Sequence, residues 1–306
     1  MQQKFYSNGK LLLTGEYLVL DGALALAVPT KFGQDMIVEP GGGREIQWKS
    51  VDHDGSVWFS GRIGLAEIEN PSPPEHSIRA TLINILHEAY KLNPALVAGE
   101  GYKITTHLSF PRYWGLGTSS TLINNIASWQ NIDPFKLLHN SFGGSGYDIA
   151  CAHHCSALLY QLKDHEPVVT EVKFDPPFAD KLYFVYLNRK QSSKAAIAAY
   201  HNNSRQGLHE SIREANRITQ TILATDNPGV FARALEHHES LLSAILEMKT
   251  VGEAFFQDFD GVTKSLGGWG GDFILAMAQQ DPTEYFKSKG FPTVIRFRDM
   301  VLQNRN

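Results

Sequence analysis

The chain has 306 residues, 42% of them apolar and 20% charged, with a formal net charge of −4. That length and balance suit two globular domains with ordinary cores, and the acid excess argues against nucleic acid or an anionic membrane as partner, since both want a basic face. No charged-then-apolar leader opens the sequence and no apolar run is long enough to span a bilayer, so a cytoplasmic location is expected.

Residues 5–13 and 23–28 read as strands, and 41–43 is a glycine-rich break. The Pro-rich run 71–74 marks a loop before an amphipathic helix over 76–92, where Ile78, Leu82, Ile85, Leu86 and Ala89 recur at helical spacing. An alternating run over 102–108 leads into PRYWGLGTSS (111–120), and an apolar helical stretch follows over 121–129. A strand, a glycine turn and a helix N-terminus make an anion cradle, because backbone N–H groups converge there and the helix dipole favours negative charge. Gly115 and Gly117 permit close approach, and Thr118, Ser119 and Ser120 add hydroxyls. The loop lacks the lysine of a Walker A motif and the third glycine of a dinucleotide fingerprint. Asp133-Pro134 is a helix start, with Asp as N-cap and Pro at the first helical position.

In CAHHC (151–155), a helix would set Cys151 and Cys155 on one face. No second cluster has ligand spacing, so core-facing thiols are expected rather than a zinc site. Strands are expected over 156–162 and 168–172. The polar, Pro-containing stretch 174–180 is the expected boundary, dividing the chain into domains 1–174 and 175–306. A buried strand over 181–188 follows, then helices over 192–202, 206–225 and 228–248. The glycine-rich KSLGGWGGDF (264–273), a helix near 283–288 and a strand over 293–297 complete the chain.

Four segments in order, GKLLLTGEYLVLDG (9–22), PRYWGLGTSS, GGSGYDIA (143–150) and KSLGGWGGDF, resemble the GHMP small-molecule kinases. That family includes galactokinase, homoserine kinase, mevalonate kinase and phosphomevalonate kinase. Three of the segments match its sequence motifs, and GGSGYDIA falls where its catalytic aspartate lies. GKLLLTGEY, GYDIA and the Gly-Gly-Asp ending look most like the phosphomevalonate kinase branch. The resemblance spans almost the whole chain. It implies a two-domain α+β fold, with an N-terminal βαβ-type domain, a ferredoxin-like C-terminal domain and an active site in the cleft between them.

The implied activity is transfer of the γ-phosphoryl group of ATP, with Mg2+, to a small acceptor, phosphomevalonate or mevalonate. Such transfer needs the phosphates held, their charge neutralised and the acceptor aimed. By resemblance, Gly115, Leu116, Gly117, Thr118, Ser119 and Ser120 hold the nucleotide phosphates, with Ser119 also the magnesium ligand. Gly268 and Gly270 meet the nucleotide from the C-terminal domain. Asp148 matches the catalytic aspartate, which orients the acceptor hydroxyl and takes its proton. Lys10 matches the family lysine that lowers the hydroxyl's pKa or pairs with that aspartate. Glu16 and Tyr17 are expected to line the acceptor pocket. Arg189, Lys190, Ser193 and Lys194, in RKQSSK, are candidates for meeting a phosphate already on the acceptor, against a solvated helix start.

The sequence departs from the family at three places. Thr118 replaces the more usual serine. Trp269 stands where a small residue is usual, either narrowing the nucleotide cleft or stacking on a ligand or a neighbouring loop. The span 121–147 is shorter than usual, and its sole acid, Asp133, looks more like an N-cap than a second magnesium ligand. Two rival readings are a diphosphomevalonate decarboxylase-like enzyme and a non-catalytic, ligand-binding homologue. A homodimer is left open.

Overall fold

The computed structural model describes residues 1–73, 76–189, 200, 207–269 and 271–303. They form two compact units. Unit one holds Met1–Gly9, Phe32–Arg112 and Leu116–His153; unit two holds Lys10–Lys31, Tyr113–Gly115 and the chain from His154 onward. A boundary at 174/175 falls inside unit two. The reason is strand pairing: β1 (Gln3–Thr14) and β2 (Ala25–Pro40) each run from one unit into the other. The first half of β2 pairs antiparallel with β6 (Ala157–Lys163), Ala25 opposite Tyr160, and β6 pairs with β7 (Glu166–Val172).

In unit one the second half of β2 pairs antiparallel with β5 (Tyr102–Leu108). That strand lies parallel to β3 (Glu45–Val51), which forms a hairpin with β4 (Val57–Gly64). The parallel step from β3 to β5 passes through α1 (Leu65–Glu69) and α2 (Ile78–Leu92), a βαβ-type crossover. Met36, Val38, Ile46, Trp48 and Ile104 share a core with Leu82, Ile85 and Leu86 of α2 and Ile123 and Ile126 of α3 (Thr118–Gln130). The helix α2 begins at Ser77, whose side chain accepts from the Ala80 N–H. Two shorter helices, α4 (Pro134–Ser141) and α5 (Tyr147–His153), follow.

Unit two contains a sheet in the order β11 (Val294–Arg296), β8 (Leu182–Tyr186), β10 (Phe273–Ala278), β9 (Gly261–Leu266), antiparallel throughout. Every residue of β10 is buried, as befits a central strand covered on both faces. The helices here are α6 (Leu208–Ala224), α7 (Pro228–Leu246), α8 (Val251–Phe255), α9 (Thr283–Ser288) and α10 (Phe297–Met300). Thr30 bridges to Val301, and the Leu302 N–H donates to the Pro29 carbonyl (2.9 Å).

Two expectations change. The strand expected over 23–28 continues to Pro40, because Pro29 and Gly33 interrupt the hydrophobic pattern without ending the pairing. The helix in CAHHC stops at His153, so Cys151 is buried while Cys155 lies beyond it, exposed. Among the described residues no group of three or more His, Cys, Asp or Glu could hold a metal ion, and no helix is long and apolar enough to cross a membrane. Lys190, Ser193, Lys194, Gly270 and most of the helix expected over 192–202 lie outside the described residues.

Candidate active site

The strand, glycine turn and helix start expected from the sequence are present. Gly117 is the N-cap of α3 in the left-handed region (φ 95°, ψ 44°), a conformation glycine adopts without strain. No side chain caps this helix, so the orphan N–H groups of its first turn keep their capacity for an anion. Leu116 is fully buried and anchors the loop. The three hydroxyls are not equivalent. The Ser120 hydroxyl donates to the Gly117 carbonyl (3.0 Å) and that of Thr118 to the Arg112 carbonyl (3.4 Å), whereas Ser119 is exposed.

Behind the loop, α3 is pinned by a buried polar lattice. The Ser7 hydroxyl donates to Asn125 Oδ1 (2.8 Å), Asn124 Nδ2 donates to Ser7 Oγ (2.9 Å), and Asn125 Nδ2 donates to the Gln34 carbonyl (3.0 Å). Satisfied polar contacts of this kind fix a helix in one register. The adjacent asparagines between Ile123 and Ile126 were the signal for it.

Asp148 sits in the first turn of α5, half-buried, with Oδ1 accepting the Ile149 N–H (3.0 Å). It follows Gly143, Gly144 and Gly146, all at positive φ. Asp133 is the N-cap of α4 and accepts from the N–H groups of Phe135 (2.8 Å) and Lys136 (3.4 Å). Its carboxylate is thus committed to the helix. Of the loop's three hydroxyl-bearing residues, Ser119 is the exposed one.

In unit two, Lys10 is half-buried on β1 and its Nζ donates to the Gly115 carbonyl (3.0 Å). Gly115 has φ 68°, and a Cβ there would fall 1.8 Å from Asp272 Oδ2. The Gly-Gly-Asp end of the last glycine motif therefore packs on the first glycine of the Gly115–Gly117 loop, and only glycine fits. Gly267 and Gly268 are half-buried, and the Gly271 N–H closes a turn on the Gly268 carbonyl (2.9 Å). Arg189 is exposed, its guanidinium 4.1 Å from the centre of the Phe255 ring.

Glu16 and Tyr17 lie in the interior of unit two. Glu16 Oε1 accepts from Nζ of Lys264 at 2.5 Å, and both side chains are buried. Lys264 Nζ also donates to the Ser265 carbonyl (2.8 Å). His238, wholly buried, accepts the Gly15 N–H on Nε2 (2.9 Å), which leaves the ring proton on Nδ1. Its Nε2 stands 3.6 Å from Glu16 Oε2. Next to it Glu239 accepts from the Val251 N–H, the Ser265 N–H and the Ser265 hydroxyl. Burial pushes the Glu16 carboxyl above its ordinary range, and Lys264 only partly offsets this. Burial raises Glu239 likewise. Burial, with Lys264 and His237 nearby, holds His238 well below the usual imidazole value.

Sequence reasoning missed Lys264 and His238. Lys264 shares strand parity with Val262 and Leu266, and a lysine on an apolar face implies a buried acid.

Trp269 settles the question its position raised. Its ring is buried in a cluster with Tyr17, Leu18, Tyr200, Leu242 and Leu246. Its Nε1 donates to the Lys249 carbonyl (3.0 Å), and its backbone N–H donates to the Tyr17 hydroxyl (2.8 Å). The indole is a core residue of unit two.

No protein-family model matches the chain, and no curated protein matches it in sequence. Solved structures do. The mevalonate kinase of Methanococcus jannaschii superposes with a TM-score of 0.70 at 17% identity, covering 99% of each chain. The Streptococcus pneumoniae phosphomevalonate kinase in complex with phosphomevalonate and AMPPNP gives 0.70 at 17%, covering 96% of this chain and 99% of that one. The Lactococcus lactis galactokinase complexed with galactose gives 0.69 at 12%, covering 100% and 94%.

Proposed function

From a chain that has the fold of the GHMP kinases along its whole length, we propose an ATP-dependent small-molecule kinase of the cytoplasm. It passes the γ-phosphoryl group of ATP to phosphomevalonate or mevalonate, phosphomevalonate being favoured by GKLLLTGEY and GYDIA. The observation that carries this reading is the helix start at Gly117: a left-handed glycine N-cap, no capping side chain and an exposed Ser119. Such an end receives phosphate oxygens on backbone N–H groups.

In this reading Ser119 holds magnesium, which supplies charge neutralisation on the phosphates. Asp148 takes the acceptor's O–H as a hydrogen bond, aims its oxygen at the phosphorus and accepts the proton as the bond forms. An acceptor phosphate is already ionised and has no proton to give to Asp148, so there the cation Lys10 would meet the attacking oxygen. Lys10 stabilises the negative charge that builds on the transferred group and the acceptor oxygen. The replacement at Trp269, one motive for a non-catalytic reading, is absorbed by the core of unit two.

The test is ADP release with ATP and Mg2+ against mevalonate, phosphomevalonate, diphosphomevalonate, homoserine and galactose. Turnover is expected on one of the first two, and Asp148→Asn is expected to lower it by about 10²- to 10⁴-fold with ATP binding retained. Carbon dioxide release from diphosphomevalonate would mark a decarboxylase instead. Silence on every acceptor with ATP still bound would favour a ligand-binding homologue.

A further inference from the structure

Three consecutive residues after β1 are each tied to a different part of unit two. The Gly15 N–H is held by His238 of α7, the Glu16 carboxylate by Lys264 of β9, and the Tyr17 hydroxyl by the Trp269 N–H of the glycine turn. Tyr17 has φ 61° and ψ −52°, a conformation costly for a residue with a Cβ, so it persists only because its surroundings impose it. The ion pair sits one residue before it, and the ring is wedged among Leu18, Tyr200 and Trp269. The first and last of the four segments are thereby one mechanical piece, joined by the Glu16–Lys264 ion pair and by the contact from the Trp269 N–H to the Tyr17 hydroxyl.

We propose that Tyr17, clamped by the buried Glu16–Lys264 pair, is a positioning residue that sets the glycine turn at Trp269 for the nucleotide. This rests on the kinase reading, in which that turn meets ATP. It assigns Tyr17 to the nucleotide side of the reaction, through protein contact, in place of a direct contact with the acceptor. Glu16 and Lys264 act one step further back by holding the Tyr17 backbone in its strained shape. An uncharged amide at position 16 would keep the side-chain shape but leave the Lys264 ammonium without its counter-charge, which relaxes that hold.

Two variants test it. Tyr17→Phe keeps the ring and removes the hydroxyl; Glu16→Gln keeps the shape and removes the charge. The first measurement is amide hydrogen exchange over residues 267–271, which reads the contact without reference to any activity. Both variants should exchange faster there while α2 and α3 are unchanged. The second is the affinity for ATP with Mg2+ by calorimetry, at a temperature where thermal unfolding shows each variant folded. Loss of one well-made hydrogen bond should weaken ATP about five- to tenfold, and in turnover the ATP KM should rise while the acceptor KM stays within about twofold.

Unchanged exchange in Tyr17→Phe overturns the proposal. So does faster exchange with unchanged ATP affinity, which confines the contact to folding. A rise in the acceptor KM alone would make Tyr17 an acceptor contact and also overturn it. If Tyr17→Phe does not fold, Glu16→Gln carries the same three readings. Failure of the unaltered protein to turn over any acceptor counts against the kinase reading, whereas the exchange and ATP-affinity arms still decide this one.

Discussion

At the scale of single residues, the chemistry of unit two gathers around a lysine with no solvent exposure. Removing one partner of a buried pair leaves the other charge without compensation, which typically costs several kcal/mol, so the pair is a point of fragility as well as of order. His238 makes this pH-dependent. Its folded value lies well below the reference 6.5, so the native state holds the ring neutral and the unfolded chain binds the extra proton. Stability from this group is therefore present above pH 6.5 and is lost as pH falls through the folded value. Glu16 and Glu239 run the other way: their values are raised above 4.5, so their contribution is present below that and is lost as pH rises through their folded values. His238→Gln, whose amide oxygen can still accept the Gly15 N–H, should flatten the loss of urea stability as pH falls below about 6.5. A loss as steep as in the unaltered protein would locate the proton elsewhere.

At the scale of elements, helix starts were the most legible part of the sequence, because each is written in a few adjacent residues. Asp133-Pro134 begins α4, and the Gly117 turn begins α3. Asp133→Ala should cost about 1 kcal/mol in a denaturant titration and leave the Mg2+ dependence of turnover unchanged; a shifted Mg2+ requirement would make Asp133 a ligand after all. Amphipathic α2 was legible for the same local reason. The candidate site was legible where it is a motif: Ser119, Asp148 and Lys10 are named by resemblance. It was not legible where it depends on tertiary partners. The parity of Lys264 with Val262 and Leu266 implies a buried acid, and only the fold reveals that Glu16 supplies it. Trp269 was similarly ambiguous, since an indole beside glycines gives no hint of which way it turns. The length of β2 was hidden by Pro29 and Gly33, which sit in a strand whose pairing is decided by β5 and β6.

At the scale of the whole molecule, the division into units could not be read from composition. A polar stretch such as 174–180 resembles a linker, whereas the two compact units gather residues far apart in sequence, and two strands run through both. Unit two in turn depends on Val301, which is buried and bridged to Thr30. Truncation after Met300 should lower stability by about 2–3 kcal/mol, from one buried aliphatic side chain and its backbone contacts; an unchanged melting temperature would show the bridge to be dispensable. The same pairing governs how the protein is made. While the ribosome is still extending the chain, unit one can close once residues 116–153 have emerged, but the first half of β2 must wait for β6, and Thr30 for Val301. A nascent chain thus carries the apolar segment Ala25 to Val28 with β1 available to pair but its β6 edge open through much of its own synthesis, which is the interval in which a chaperone or a second nascent copy would find it.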